Sequence, residues 1–119
     1  MAACLCLGRL LRITELMSVD VRSGSRTFGR AVALTIGAQS GRQLLVPVGF
    51  AHGLCTLAAD TEIQVRADNL QSLAHERGFA WNDPDLNIPW PVSAETARLT
   101  PEDRNHPRLA EAPVWFPAR

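Results

Sequence analysis

The chain has 119 residues, 46% of them hydrophobic, which is long enough for one buried core and too short for two ordinary domains. Its 12 basic and 12 acidic side chains balance, so the overall charge gives no reason to expect nucleic acid, an anionic membrane or a cationic protein as a partner. Any binding site must therefore be local.

The N-terminal region, MAACLCLGRLLRITEL, carries only a short apolar run, with its charges after the run rather than before it. This pattern falls short of a signal peptide and far short of a membrane span. Cys4, Cys6 and Cys55 are odd in number and lack the spacing of a disulfide framework or a zinc site. We therefore predict a cytoplasmic protein with no membrane partner.

Four short β-strands are predicted in the middle of the chain. They lie at 30–37, 42–46, 50–57 and 61–67. Short strands separated by turn-forming residues favour an all-β sandwich or barrel. In the first strand Val32, Leu34 and Ile36 alternate with small or polar residues, which predicts that these three side chains form one buried face.

His52 lies in the third predicted strand, within the sequence VPVGFAHGLCTL. Strand alternation places it on the same face as Phe50 and Leu54. The residues alone leave two interpretations open: a core histidine with hydrogen-bonded ring nitrogens, or a histidine that takes part in chemistry. The following Ala58-Ala59-Asp60 is typical of a hairpin loop, so we expect the fourth strand to pair with the third.

The rest of the chain, from about residue 70, is rich in proline and tryptophan. This composition predicts a tail that wraps the strands, with tryptophans that seal the core. One short helix is expected in LTPEDRNHP, where Thr100 precedes Pro101 at the first helical position and Asp103 at the third, as in a capping box. Pro107 ends this helix.

Familiar catalytic motifs are absent from the sequence. It contains no Gly-rich phosphate loop and no G-x-S-x-G segment. Its three histidines, His52, His75 and His106, fall in separate regions, so we expect no metal site. The chain contains no tyrosine. A mechanism in which one of these residues donates a proton from a phenol is therefore excluded.

Five segments occur in an order and spacing that point to one known family. They are SVDVRSGSRTFGR, LLVPVGFAHGLCTL, DTEIQVRADN, HERGFAWNDPDLNIPWPV and LTPEDRNHPRLAEA. Between about Ser18 and Ala112 the chain thus resembles the later part of dTDP-4-dehydrorhamnose 3,5-epimerases. The resemblance implies a cupin-type jelly-roll barrel truncated at its N-terminal side, with residues 1–16 a divergent segment and 17–119 a partial epimerase domain. It also implies a homodimer without cofactor or metal.

The substrate implied by the resemblance is a dTDP-linked 4-keto-6-deoxy sugar on the pathway to activated rhamnose. In the family a histidine base, oriented by an aspartate, removes the proton next to the ketone, and a tyrosine returns one. By this resemblance His52 lines the sugar pocket and contacts the oxygen that gains charge in the enolate, and Asp103 orients the base. Glu76 contacts the nucleotide, and the loop 81–84 has a structural role.

Three groups depart from the family pattern. The R-G-L-H segment that holds the base does not occur between Met1 and Ser18, and the family tyrosines fall at Val65 and Leu70. A basic residue of the tail is replaced by Glu102. We therefore expect the chain to be inactive alone and marginally stable, with open strand edges. The alternative is a non-catalytic cupin-type sugar-nucleotide binder or partner subunit, and helix capping is then the favoured role of Asp103.

Overall fold

A computed structural model describes residues 3–7, 13–37, 40–58, 61–67 and 77–117. Within these ranges the chain is built mainly of β-strands. The elements are β1 Ala3–Leu7, β2 Ile13–Asp20, β3 Arg22–Ser23, β4 Ala31–Gly37, β5 Gln43–Val46, β6 Phe50–Thr56, β7 Ile63–Ala67, helix α1 Pro101–Arg104, the 3₁₀-helix η1 Leu109–Glu111 and β8 Phe116–Pro117. The predicted all-β class and the short helix are confirmed.

Two antiparallel three-stranded sheets form the framework. Their strand orders are β5-β1-β7 and β4-β2-β6, and β3 forms a short parallel pair with β8. The two strands from the beginning of the chain, β1 and β2, are therefore the central strands of the two sheets. Strand β2 also crosses the predicted boundary between residues 16 and 17, so residues on both sides of that boundary belong to one element.

The predicted hairpin between the third and fourth strands is wrong. Strand β6 pairs with β2, whereas β7 pairs with β1 in the other sheet. The connection between them lacks the Asn-Gly or Asp-Gly pair that favours a tight hairpin. In the sequence, residues 57–62 separate the two strands, which is enough chain to span the roughly 10 Å between packed sheets.

The inner faces of the two sheets meet in one apolar cluster. Leu16 and Ile36 from one sheet pack with Val46 from the other, and all three are almost fully buried. Leu34, Leu44 and Phe50 pack around them. The expectation that Val32 is buried beside Leu34 and Ile36 is wrong, since Val32 is 67% exposed.

The outer face of the β4-β2-β6 sheet is covered by the C-terminal part of the chain. Val19 and Val21 are buried against Leu109 of η1. Partly buried side chains surround them, namely Ala31, Ala51, Phe79, Leu86, Ile88 and Trp115. The indole of Trp90 lies so close to Gly53 of β6 that a β-carbon there would come within 3.1 Å of Cη2. The tail therefore wraps the sheet and uses aromatic surface to do so.

The side chain of Asp83 joins two separate parts of the tail, the turn that contains Asp85 and the helix η1. Its carboxylate is buried and accepts hydrogen bonds of 2.9 Å from the backbone N–H groups of Asp85 and Leu109. Arg108 lies 3.8 Å from the same carboxylate and donates a 2.6 Å hydrogen bond to Asp85. The turn after Trp81 and the helix η1 are thereby held as one unit on the sheet.

Asp20, at the end of β2, accepts more side-chain hydrogen bonds than any other described residue of the sheets. Its carboxylate is 1% exposed and accepts hydrogen bonds from the Arg22 guanidinium at 2.9 and 3.0 Å and from the Arg22 backbone N–H at 2.9 Å. The hydroxyls of Ser25 and Thr27 donate to it as well. Arg22 in turn stacks over the Phe50 ring at 4.8 Å.

This network ties two loops, 24–30 and 47–49, to the end of the sheet. Asp20 also bonds through its backbone to Gly29 and Arg30, and a β-carbon on Gly49, whose φ is +90°, would lie 2.5 Å from the Arg22 side chain. The hydrogen bonds from Arg22 are the largest reason that the pKa of Asp20 is held well below its usual range, against the opposing effect of burial.

Asp20→Asn should lower the free energy of unfolding at pH 7 by about 2 kcal/mol, because it removes charge-assisted hydrogen bonds and leaves Arg22 without its partner. Since the folded pKa lies below the unfolded value of about 3.9, the contribution of Asp20 is fully present above that value and is lost as the pH falls. Urea unfolding at a series of pH values between 3 and 7 measures both effects.

Asp85→Asn is the matched control, since Asp85 also pairs with an arginine but is 60% exposed. It should change stability much less. Equal losses for the two variants, or an unchanged acid dependence in Asp20→Asn, would contradict the role assigned to Asp20.

Candidate functional site

His52 lies on the inner face of the β4-β2-β6 sheet. Its Cα is paired with that of Ser18 in β2, which is paired in turn with Val32 in β4, so these three residues form one row across the sheet. His52 is exposed, and no residue in the described parts of the chain hydrogen-bonds its ring. It is therefore not a hydrogen-bonded core histidine.

Val65 lies on the inner face of the other sheet, β5-β1-β7. Leu44 and Val65 are both Cα partners of Leu5, so they share a face of the β5-β1-β7 sheet. Leu44 packs into the cluster that joins the two inner faces, and Val65 therefore points to the same side. Val65 is 53% exposed, which shows that the space next to it is open.

We call this space the inter-sheet cleft and define it by Ser18, Val32, His52 and Leu54 on one sheet and Val65 on the other. Val32 and Leu54 are 67% and 41% exposed, so the apolar walls of the cleft are accessible to solvent. Among the described residues that define the cleft, the polar groups are the imidazole of His52 and the hydroxyl of Ser18. Apolar walls with a few polar groups are typical of small-molecule sites.

The folded structure favours the neutral form of the His52 imidazole. Although part of the side chain is exposed, the surrounding protein displaces water from the ring, and this desolvation lowers the pKa of His52 below its usual value of 6.5. A neutral imidazole has one N–H donor and one acceptor nitrogen. His52 can thus donate a hydrogen bond to a ligand oxygen without bringing a positive charge into the cleft.

An NMR titration of the His52 ring protons should give a pKa below 6.5 in the folded protein. The reference is the same titration in concentrated urea, where the water around the ring is restored and the pKa should return to about 6.5. A folded-state value at or above the urea value would contradict the desolvation of His52.

Asp103 lies on α1, in the tail. Its backbone N–H donates a 3.2 Å hydrogen bond to the Thr100 hydroxyl, and Pro101 occupies the first turn. Its carboxylate is 55% exposed, and the ionisable partner nearest to it is His106, with Nε2 at 3.8 Å. The predicted N-terminal cap is confirmed, whereas the role of Asp103 in orienting a base stays a prediction.

Thr100→Ala should cost about 0.5–2 kcal/mol of stability, because it removes the acceptor for the Asp103 N–H. Asp103→Asn should cost less, since its side chain is exposed and the capping bond uses its backbone. Chemical denaturation of both variants tests this order. A larger loss for Asp103→Asn would show that the carboxylate has a structural partner beyond the cap.

Other predicted site residues lie outside the described ranges. Glu76, Leu70 and His75 belong to these, so the predicted nucleotide contact of Glu76 stays a prediction. Glu102 is exposed in the first turn of α1. Among the described residues no group of three or more His, Cys, Asp or Glu is arranged to hold a metal ion, and no helix there has the length and apolar character to span a membrane.

The sequence reasoning missed two residues near the cleft, Ser18 and Asp20. The signal for Asp20 was its position in SVDVRSGSRT, where an arginine, a serine and a threonine follow within seven residues and can all donate to one carboxylate. The signal for Ser18 was only its even spacing from buried Leu16 and Asp20, which places it on their face once β2 is recognised as a strand.

Comparisons with known proteins all point to the same family. A sequence model described as dTDP-4-dehydrorhamnose 3,5-epimerase matches residues 10–111. The dTDP-4-dehydrorhamnose 3,5-epimerases of Sinorhizobium fredii and Shigella flexneri are 42% and 38% identical over 113 and 100 residues, or 92% and 84% of this chain. The chain spans only 57% and 54% of the length of these relatives.

Solved structures resemble the chain over the same region. The dTDP-6-deoxy-D-glucose-3,5-epimerase of Legionella pneumophila, in complex with dTDP-4-keto-L-rhamnose, superposes with a TM-score of 0.91 at 27% identity, covering 99% of this chain and 62% of its own. The dTDP-4-dehydrorhamnose 3,5-epimerase of Bacillus anthracis, with TDP and pyrophosphate bound, gives 0.82 at 36% identity, covering 90% and 59%.

Proposed function

The chain belongs to the dTDP-4-dehydrorhamnose 3,5-epimerase family, and we propose that its inter-sheet cleft binds the sugar of a dTDP-4-keto-6-deoxy sugar nucleotide. The observation that carries this proposal is the position of His52. It lies on an open inner face, unpaired among the described residues and neutral, where a ring N–H can reach a ligand oxygen. Of the ligands in the solved relatives, dTDP-4-keto-L-rhamnose belongs to this chemical class and TDP corresponds to its nucleotide part.

The reaction of the family begins at a proton next to the C4 ketone. Removal of that proton leaves an enolate, in which the negative charge moves onto the C4 oxygen. A hydrogen bond from His52 to this oxygen becomes stronger as the charge develops, and it therefore lowers the barrier more than it tightens substrate binding. Where a base is also present, His52 would therefore stabilise the oxygen and would not remove the proton.

We further propose that these 119 residues by themselves bind the sugar nucleotide without exchanging its protons. The chain has no tyrosine, and Val65, where the family resemblance places one, points into the cleft with a side chain that cannot transfer a proton. The R-G-L-H segment that carries the family base does not occur in the sequence. Asp103 would then have no base to orient.

A non-catalytic sugar-nucleotide binder, or a partner subunit, is the alternative to an epimerase. Val65 favours this alternative, because position 65 lies within the region that matches the family and the phenol is missing from the cleft itself. Both proposals carry the same further expectations. The protein would form a cupin-type barrel, assemble as a homodimer, need no cofactor and lie in the cytoplasm.

Binding and chemistry can be measured in one experiment. The protein is mixed with dTDP-4-keto-6-deoxyglucose in D₂O, and NMR follows the loss of the sugar protons at C3 and C5. We expect no exchange above the protein-free control, together with line broadening that shows binding. Exchange near the rate of a complete family enzyme would assign epimerase activity to the chain and contradict the binding-only proposal.

His52→Ala tests the binding role separately. Loss of one neutral hydrogen bond should weaken dTDP-sugar binding by about 2- to 10-fold, whereas dTDP alone should bind as before. Thr56→Ala serves as the control, since Thr56 is exposed on the same face of β6 but lies beyond Leu54. If neither dTDP nor a dTDP-sugar binds the folded protein, the proposed function is wrong.

A further inference from the structure

Ser18 is the second polar group of the inter-sheet cleft. We propose that its hydroxyl forms a two-point hydrogen-bonding site with His52, which selects a hydroxylated or keto sugar ring over the nucleotide alone. This inference rests on the proposed function and adds a specificity-determining residue to it.

The strand register places Ser18 next to His52. The two residues are Cα partners in the antiparallel pair of β2 and β6, and their side chains point to the same face. Directly opposed residues of this kind have β-carbons about 4.5–5.5 Å apart. A serine hydroxyl and an imidazole at that distance can both reach oxygen atoms of one bound sugar ring.

Burial shows that the space above Ser18 is open. Its neighbours on the same face of β2, Leu16 and Asp20, are 2% and 1% exposed. Ser18 lies between them but is only half-buried, and its cross-strand neighbours Val32 and His52 are both exposed. Ser18 therefore lies on a part of the inner face that solvent can reach.

The hydroxyl of Ser18 is also available for a ligand. No group in the described parts of the chain hydrogen-bonds it. The charged side chain beside it, Asp20, does not compete, because its carboxylate already accepts bonds from Arg22, Ser25 and Thr27. A hydroxyl both donates and accepts, so Ser18 can pair with a sugar hydroxyl or with a carbonyl oxygen.

The chemistry of this pair matches a neutral polar ring. His52 is neutral, Ser18 is uncharged, and the walls contributed by Val32 and Val65 are apolar. Such a surface gives no preference for the charged diphosphate. The pair should therefore contribute to the affinity for the sugar and leave the affinity for dTDP unchanged.

The test compares dTDP-glucose with dTDP, each titrated into the full chain by calorimetry. Ser18→Ala should weaken dTDP-glucose binding by about 3- to 10-fold, which corresponds to one neutral hydrogen bond, and should not change dTDP binding. Ser18→Thr keeps the hydroxyl and suits a strand, so it should bind dTDP-glucose within about twofold of the unchanged protein. The control is Thr56→Ala, which removes a hydroxyl about 13 Å along β6 from His52.

The outcomes separate this inference from the proposed function. If dTDP-glucose binds but Ser18→Ala leaves its affinity unchanged, the role of Ser18 is wrong while the proposed function stands. If Ser18→Ala weakens dTDP and dTDP-glucose equally, the change is structural and the inference is also wrong. If the unchanged protein binds neither ligand, the proposed function itself fails.

Discussion

Strand β2 is paired on both sides and has buried side chains on both faces, and the arrangement of the site depends on it. Leu16 contributes to the cluster that joins the two sheets, while Val19 on the opposite face is buried under the tail. A one-residue shift of β2 would exchange these two faces. The register that places Ser18 beside His52 is thus fixed by burial on both faces, with no need for a direct bond between the two side chains.

The ends of β2 are fixed by polar groups. Asp20 collects hydrogen bonds from the loop that follows β2, and Arg22 links this loop to Phe50 at the start of β6. Buried charge is tolerated here because the carboxylate has an ionic partner and several donors. The same arrangement keeps Asp20 occupied, so that the polar character of the cleft comes from neutral groups, Ser18 and His52.

The two faces of the β4-β2-β6 sheet differ in how completely the chain covers their apolar side chains. On the outer face, the tail buries Val19 and Val21, and Asp83 holds that tail in place. On the inner face, Val32 remains more than half exposed, and so does Val65 on the inner face of the other sheet. Exposed apolar side chains around a polar pair are what a ligand site requires, and they also weaken a small protein, because less apolar area is removed from water.

The sequence by itself determined the all-β class, the family, the middle strands and the face that His52 shares with Phe50, because alternation and motif spacing are local properties. It also determined the cap of α1 at Thr100, since capping depends on residues three positions apart. Only the tertiary structure decided that β6 and β7 belong to different sheets and that Ser18 lies beside His52. Strand pairing joins residues far apart in the chain, and its register depends on which faces become buried, which no local pattern specifies.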